Sequence, residues 1–164
     1  MSRFLRTFSV ARSVIARRSY ASEAASSSGK LRLNFTLPHQ AILKDFEAIQ
    51  VNIQSTEGDM GILADHVPTI AQLNLGGLVE VIAADNKPRK YFVSGGFAII
   101  NPDSTLNINA VEAFDIEQID VEAARRGSEE AARKLNAAGT SEADKVTARV
   151  EQELYDSILL AVKA

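Results

Sequence analysis

The spacing of apolar residues changes once along this chain, near Asp115, and that change calls for two different kinds of structure. Upstream, Leu31, Leu33, Phe35 and Leu37 alternate with Arg32, Asn34 and Thr36, and Ile49, Val51 and Ile53 alternate with Gln50, Asn52 and Gln54. Successive side chains of a strand point to opposite faces, so a period of two predicts strands buried on one side. Short runs rich in β-branched and aromatic residues follow at 78–83, 90–94, 97–100, 105–110 and 111–114. Turn formers separate them: Pro38-His39, Glu57-Gly58-Asp59, Gly76-Gly77, Asp85-Asn86-Lys87-Pro88, Gly95-Gly96 and Asn101-Pro102-Asp103. Many short strands at close spacing predict an antiparallel β-sandwich or barrel over residues 31–116. Every phenylalanine except Phe4 and Phe8 falls in this region, which places the core there.

Downstream the period is helical. Val121, Ala124, Ser128, Ala131, Ala132 and Leu135 fall on one stripe, with Arg125, Arg126, Glu129, Glu130, Arg133 and Lys134 away from it. Gly139 stands where a helix would stop, and Ser141 and Asp144 have N-cap spacing for a second helix. That helix carries Ala143, Val146, Val150, Leu154, Ile158 and Ala161 on one stripe. The connection is short, so the helices run antiparallel as a two-helix hairpin over 117–164. The alanine-rich stripe of the first helix is expected to bury the larger Val, Leu and Ile side chains of the second. Tyr155, Leu159 and Val162, off that stripe, are expected to touch the β domain or another protein, because a lone two-helix hairpin buries too little to stand alone.

The N-terminus has a different character. Residues 1–20 hold Arg3, Arg6, Arg12, Arg17 and Arg18 and no acid, with Glu23 the first carboxylate. On a helical wheel Phe4, Phe8, Ala11 and Ile15 share one face while Arg3, Arg6 and Arg17 lie opposite. A basic, serine-containing, acid-free amphipathic segment is the pattern of a mitochondrial transit peptide rather than a secretory signal, whose apolar centre is unbroken. The alternative is a basic arm for nucleic acid or membrane. Arg18-Ser19-Tyr20-Ala21 is similar to a matrix-protease site with cleavage between Tyr20 and Ala21, and residues 21–30, small and polar, form a flexible linker. Removing the five arginines leaves thirteen basic against twenty-one acidic residues, a formal charge of −8. Such a domain repels phosphate backbones, so no nucleic-acid partner is expected.

No catalytic constellation emerges. The chain has no cysteine, and its two histidines, His39 and His66, are far apart, leaving little for a zinc site. Gly76-Gly77 and Gly95-Gly96 lie between strands, without the following helix and lysine that a phosphate loop needs. A triad of Ser94, His66 and Asp65 has nothing to bring Ser94 to the other two. Glu57 and Asp59 form a general acid–base pair only if held together, and on a tight turn they are solvated. No cofactor is expected. Apolar runs fall far short of the roughly 20 residues that span a bilayer.

One stretch is distinctive: Gly58-Asp59-Met60-Gly61-Ile62-Leu63-Ala64-Asp65-His66-Val67-Pro68-Thr69-Ile70. A second, Tyr91-Phe92-Val93-Ser94-Gly95-Gly96-Phe97-Ala98, is followed by Asn101-Pro102-Asp103-Ser104, and later by Glu112-Ala113 and Ile119-Asp120. Together they resemble the delta/epsilon subunits of F-type ATP synthases over residues 31–164. The resemblance implies a non-catalytic rotor subunit at the foot of the central stalk, coupling rotation of the proteolipid c-ring to ATP synthesis. The implied partners are the gamma subunit, the c-ring and the small mitochondrial epsilon subunit. It also implies attachment to the matrix side of the inner membrane through the complex alone. By position in the first motif, Glu57, Asp59, Met60 and His66 would face the ring. Two departures stand out. Bacterial relatives that sense ATP carry Ile/Leu-Asp-x-x-Arg-Ala at the first helix, whereas here Ile119-Asp120-Val121-Glu122 runs into Ala123-Ala124 and arginine comes only at Arg125, so ATP binding is not carried over. Leu75-Gly76-Gly77 replaces the usual Pro-Gly.

Overall fold

A computed structural model describes residues 29–137 and 141–163. The presequence, the Tyr20–Ala21 junction, most of the linker and Gly139 therefore lie outside the described residues. Ten strands form one sheet: β1 Leu31–Thr36, β2 Ala41–Ala48, β3 Gln50–Ser55, β4 Gly58–Ile62, β5 Thr69–Leu73, β6 Gly77–Ile82, β7 Pro88–Val93, β8 Gly96–Ile100, β9 Thr105–Ala110 and β10 Ala113–Asp115. A 3-10 turn at Ile116–Gln118 leads into α1 Val121–Asn136 and α2 Glu142–Lys163.

The sheet runs β10-β7-β6-β3-β5-β8-β9-β1-β2, with β4 paired to β3 alone. It curls on itself into a half-barrel, so that one face of nearly every strand meets the others across the middle. Leu31, Leu33 and Phe35, Val51 and Ile53, Val79 and Val81, and Leu106 and Ile108 are all fully enclosed there. The Phe35 and Tyr91 rings pack edge to face across this interior at 5.4 Å, an arrangement that aromatic quadrupoles favour. Burial also pushes the Tyr91 phenol above its usual value; Arg89 opposes this and Asp115 adds to it.

The antiparallel sandwich expected from the sequence is modified in one respect: β1 and β9 pair in parallel, Leu33 opposite Leu106 and Phe35 opposite Ile108. On the outer face of that pair Asn34 donates to Asn107 at 2.9 Å and Thr36 to Asn109 at 2.7 Å. Burial alternates along β1, β3, β6 and β9, where the enclosed apolar residues stand at every second position, whereas β7 buries Tyr91, Phe92 and Val93 in succession and β8 turns Phe97 outward. Three other strands escape the sequence reading. In β2 apolar and polar residues do not alternate, its pairing with β1 slips twice, and Asp45 adopts a positive φ of 50°. The region predicted as the Glu57-Gly58-Asp59 turn is shorter than expected. Only Thr56 and Glu57 turn, and Gly58 already begins β4, with Asp59 opposite Gln54 and Met60 opposite Ile53. The segment 69–73 is β5, paired with β8.

In the hairpin, Asp120 caps α1 by accepting the Ala123 N–H at 3.0 Å, and Ser141 caps α2 by accepting that of Asp144 at 3.2 Å. The α1 stripe packs as expected, through Ala124 and Ala131. The α2 stripe packs only in part: Ala161 is buried and Ile158 partly so, but Val146 and Val150 are 61% and 60% exposed, Leu154 also faces out, and the other buried residue, Ala148, lies off the stripe. Tyr155, predicted to lie off the helix–helix contact, stands against Gly127 of α1 instead. The reason is geometric. Ala and Gly on facing positions let the backbones approach, and that approach selects the small residues of α2 rather than its large ones.

Candidate functional site

The residues singled out from the first motif spread along one strand. Among the described residues β4 pairs with β3 alone, so its other edge has no strand beside it there. Glu57 lies at the turn entering β4, exposed, with the neighbouring Ser55 hydroxyl donating to the Gly58 carbonyl at 2.6 Å. Asp59 points outward and is exposed, whereas Met60 points inward and packs part of its side chain on the core. Beyond the other end of β4 comes His66, half-buried. The Val67 carbonyl lies 2.8 Å from His66 Nδ1 and can only accept, so Nδ1 carries the proton. Five residues at about 3.3 Å each put roughly 17 Å of strand between the Glu57 turn and the His66 loop. These residues therefore line an edge and form no cluster.

Beside Asp59, on the outer face of β3 and β6, lies an open recess of about 300 Å³ lined by Asn52, Gln54, Asp59, Met60, Leu78 and Glu80. A polar chain crosses its floor: Gln50 donates to Asn52 at 2.6 Å, and Asn52 to the Glu80 carboxylate at 2.7 Å. Lys90 approaches the same carboxylate at 4.0 Å.

The triad considered from sequence is not assembled. Ser94 lies at the opposite end of the half-barrel from His66 and exchanges hydrogen bonds with the Glu112 backbone. Asp65 bonds Ser104. Among the described residues no three His, Asp or Glu side chains come together as a metal site, and no helix is long and apolar enough to cross a membrane.

Sequence reasoning overlooked two apolar surfaces. On the outer face of β5 and β8, Ile70 is 73% and Phe97 53% exposed, with Ile99 opposite Ile70. The signal was available in Ile70, which follows Pro68-Thr69 and breaks the polar side of a strand that had not been recognised. The second surface is the Val146–Val150–Leu154 face of α2, hidden by the assumption that the larger residues must face the partner helix. Exposed apolar patches of this kind mark docking surfaces rather than catalytic ones.

The fold is a curled sheet followed by an alanine-seamed helix pair, with exposed apolar faces on both units. Residues 30–115 match the family described as ATP synthase, Delta/Epsilon chain, beta-sandwich domain, and the chain belongs to that family. The mitochondrial members give the particular likeness. The chain is 44% identical to ATP synthase subunit delta, mitochondrial, of Neurospora crassa over 93% of its length and 89% of that protein. It is 47% identical to the subunit of the same name from Yarrowia lipolytica, over 88% and 86%. Among solved structures, it superposes on a chain of the Euglena gracilis mitochondrial ATP synthase OSCP/F1/c-ring assembly with a TM-score of 0.74 and 32% identity, over 83% of each chain. Within that family the chain groups with the mitochondrial delta subunits.

Proposed function

We propose that this subunit clamps the proteolipid c-ring to the gamma subunit at the foot of the central stalk, on the matrix side of the inner membrane. The observation that carries this reading is the apolar pair Ile70 and Phe97 standing in solvent, beside Ile99, on the outer face of β5 and β8. A fixed partner that covers them offsets their hydration cost, and gamma is assigned to that face. The edge of β4 away from β3 is assigned to the polar loops of the ring, with Glu57, Asp59 and His66 as contacts and Met60 bracing the strand from inside. The small mitochondrial epsilon subunit is assigned to the Val146–Val150–Leu154 face of α2. The half-barrel (31–116) is the clamp, and the hairpin (117–164) is the second docking arm. Residues 1–20 direct import and are removed, so the mature chain starts at Ala21 after the 20–21 bond is cut, with 21–30 as its lead-in.

The test uses the assembled enzyme in sealed vesicles. Asp59→Lys should lower proton pumping per ATP hydrolysed, and Ile70→Glu should reduce the amount of subunit that co-purifies with gamma. Both variants leave the core untouched, so the free subunit should melt as the parent does. Normal coupling in the first and full co-purification in the second would sink the assignment.

A further inference from the structure

The loop that carries His66 is not held by the sheet alone. At the same end of the half-barrel the turn between β8 and β9 is tightly knit. The Asn101 N–H donates to the Thr105 carbonyl at 2.9 Å, and the Asn101 side chain donates to the Thr105 hydroxyl at 2.8 Å. The Asp103 carboxylate accepts the Thr105 N–H at 3.1 Å and its hydroxyl as well. Ser104, in the middle of this turn, is only 5% exposed and has a φ of +59°. Its carbonyl accepts the Arg32 N–H of β1 at 3.0 Å. Its hydroxyl reaches the other loop, accepting the Asp65 N–H at 3.0 Å and donating to the Asp65 carboxylate at 3.2 Å.

Asp65 also has a positive φ of 59°. Two L-residues in the left-handed region, bonded to each other, are an uneconomical way to turn a chain, since glycine would serve at either place without strain. Such conformations persist where the surroundings over-determine them, and they mark places where a fixed geometry has a use. Directly after Asp65 come His66, whose ring is tied to the Val67 carbonyl, and Thr69, whose hydroxyl donates to the same carbonyl at 2.9 Å. Ser104, held in its own turn, is thus hydrogen-bonded to Asp65, the residue that immediately precedes the tip at His66 and Val67.

We propose that Asp65 and Ser104 are positioning residues that lock the His66–Val67 tip in one pose for its contact with the c-ring. The inference rests on the assignment of that tip to the ring. A contact that transmits torque loses motion to any slack in the loop that makes it. The Ser104 bonds fasten the middle of residues 63–68, between the points where the chain leaves β4 and enters β5.

The experiment again measures proton pumping per ATP hydrolysed by the assembled enzyme in vesicles. Ser104→Gly removes both bonds of the latch, whereas Asp65→Gly removes only the one to its carboxylate and keeps the backbone N–H donor; each also removes left-handed strain, so the fold is preserved. Asp65→Asn keeps an acceptor for the serine hydroxyl and tolerates positive φ. The expected result is a severalfold fall in the ratio for Ser104→Gly, a smaller fall for Asp65→Gly, a double variant no worse than Ser104→Gly alone, and a near-parental ratio for Asp65→Asn. Melting of the free full-length subunit should be unchanged. Val67→Glu, which alters the tip and spares the latch, separates the two ideas. If Val67→Glu uncouples while both glycine variants couple normally, the latch is overturned and the ring contact stands. If Val67→Glu also couples normally, the ring contact itself falls. Parallel losses of coupling and melting temperature in all the Asp65 and Ser104 variants would make the pair a stability element only and would overturn the proposal.

Discussion

Gly127 sits in the middle of α1, where glycine ordinarily weakens a helix by about 1 kcal/mol relative to alanine. Here the sign reverses, because a Cβ at this position would meet the Tyr155 ring at about 2.5 to 2.8 Å. Overpacking of this kind costs about 1–3 kcal/mol, more than propensity returns. Gly127→Ala should therefore lower the helical melting temperature, and Tyr155→Ala in the same chain should restore much of the loss. Far-UV thermal melts of the four combinations decide it. Asp103 supplies a second residue-scale prediction. Its bond from the Thr105 hydroxyl holds its carboxyl below the ordinary value of 3.8. A carboxyl lowered in the folded state contributes stability above its unfolded value and loses it as pH falls through the folded one. The stability difference between parent and Asp103→Asn should thus be constant above about pH 4 and shrink as the pH falls further, which urea titrations at a series of acid pH values would show. The group is open to solvent, so the difference is small.

At the scale of elements, the helix pair inverts the usual expectation about size. Ala148 is buried against α1 and Val150 is not, so enlarging the small residue should do more harm than charging the large one. Ala148→Leu should cost about 1–3 kcal/mol in chemical denaturation, whereas Val150→Glu should stay within about 0.5 kcal/mol of the parent and weaken only assembly. This pair also shows where the sequence is legible. Leu31 to Leu37 is readable as a strand because one face is fully enclosed and the other polar, and alternation reports that directly. The α1 stripe is readable because its small residues have no other face to occupy. The α2 stripe misleads, since period 3.6 reports that a face is apolar but not whether the chain itself covers it. β2 is hidden by its slipped register and positive-φ Asp45. β4 is hidden by Gly58 and Gly61, which look like turn residues yet lie in a strand where an edge tolerates them. Asp59 and His66 could be found only through the resemblance of their motif. The Asp65–Ser104 latch depends on two loops 39 positions apart, a distance no local pattern spans.

At the scale of the whole molecule, the two units meet at a narrow seam. Gly76, with φ of +73°, brings the turn before β6 against α2, and a Cβ there would fall 2.6 Å from the Ser157 Cβ. Both the backbone angle and the space demand glycine. Gly76→Ala should loosen the hairpin from the half-barrel without unfolding either. Small-angle scattering should then report a larger radius of gyration, while the near-UV signal of the Phe35–Tyr91 core stays unchanged.

The parallel pairing of β1 with β9 sets the order in which the domain can be made. β1 is an interior strand, held between β2 and β9, and its partner Asn107 lies 73 positions after Asn34. A chain delivered N-terminus first, from a ribosome or through a narrow translocation pore, can form the β1–β2 and β3–β4 hairpins early. It cannot close the half-barrel until residues 105–109 have emerged. Contacts this distant in sequence carry a large loop-closure cost and slow folding. The half-barrel therefore stays open, with Leu33 and Phe35 uncovered, until nearly all of its own strands have arrived, and it becomes a stiff body while the helical hairpin is still to follow.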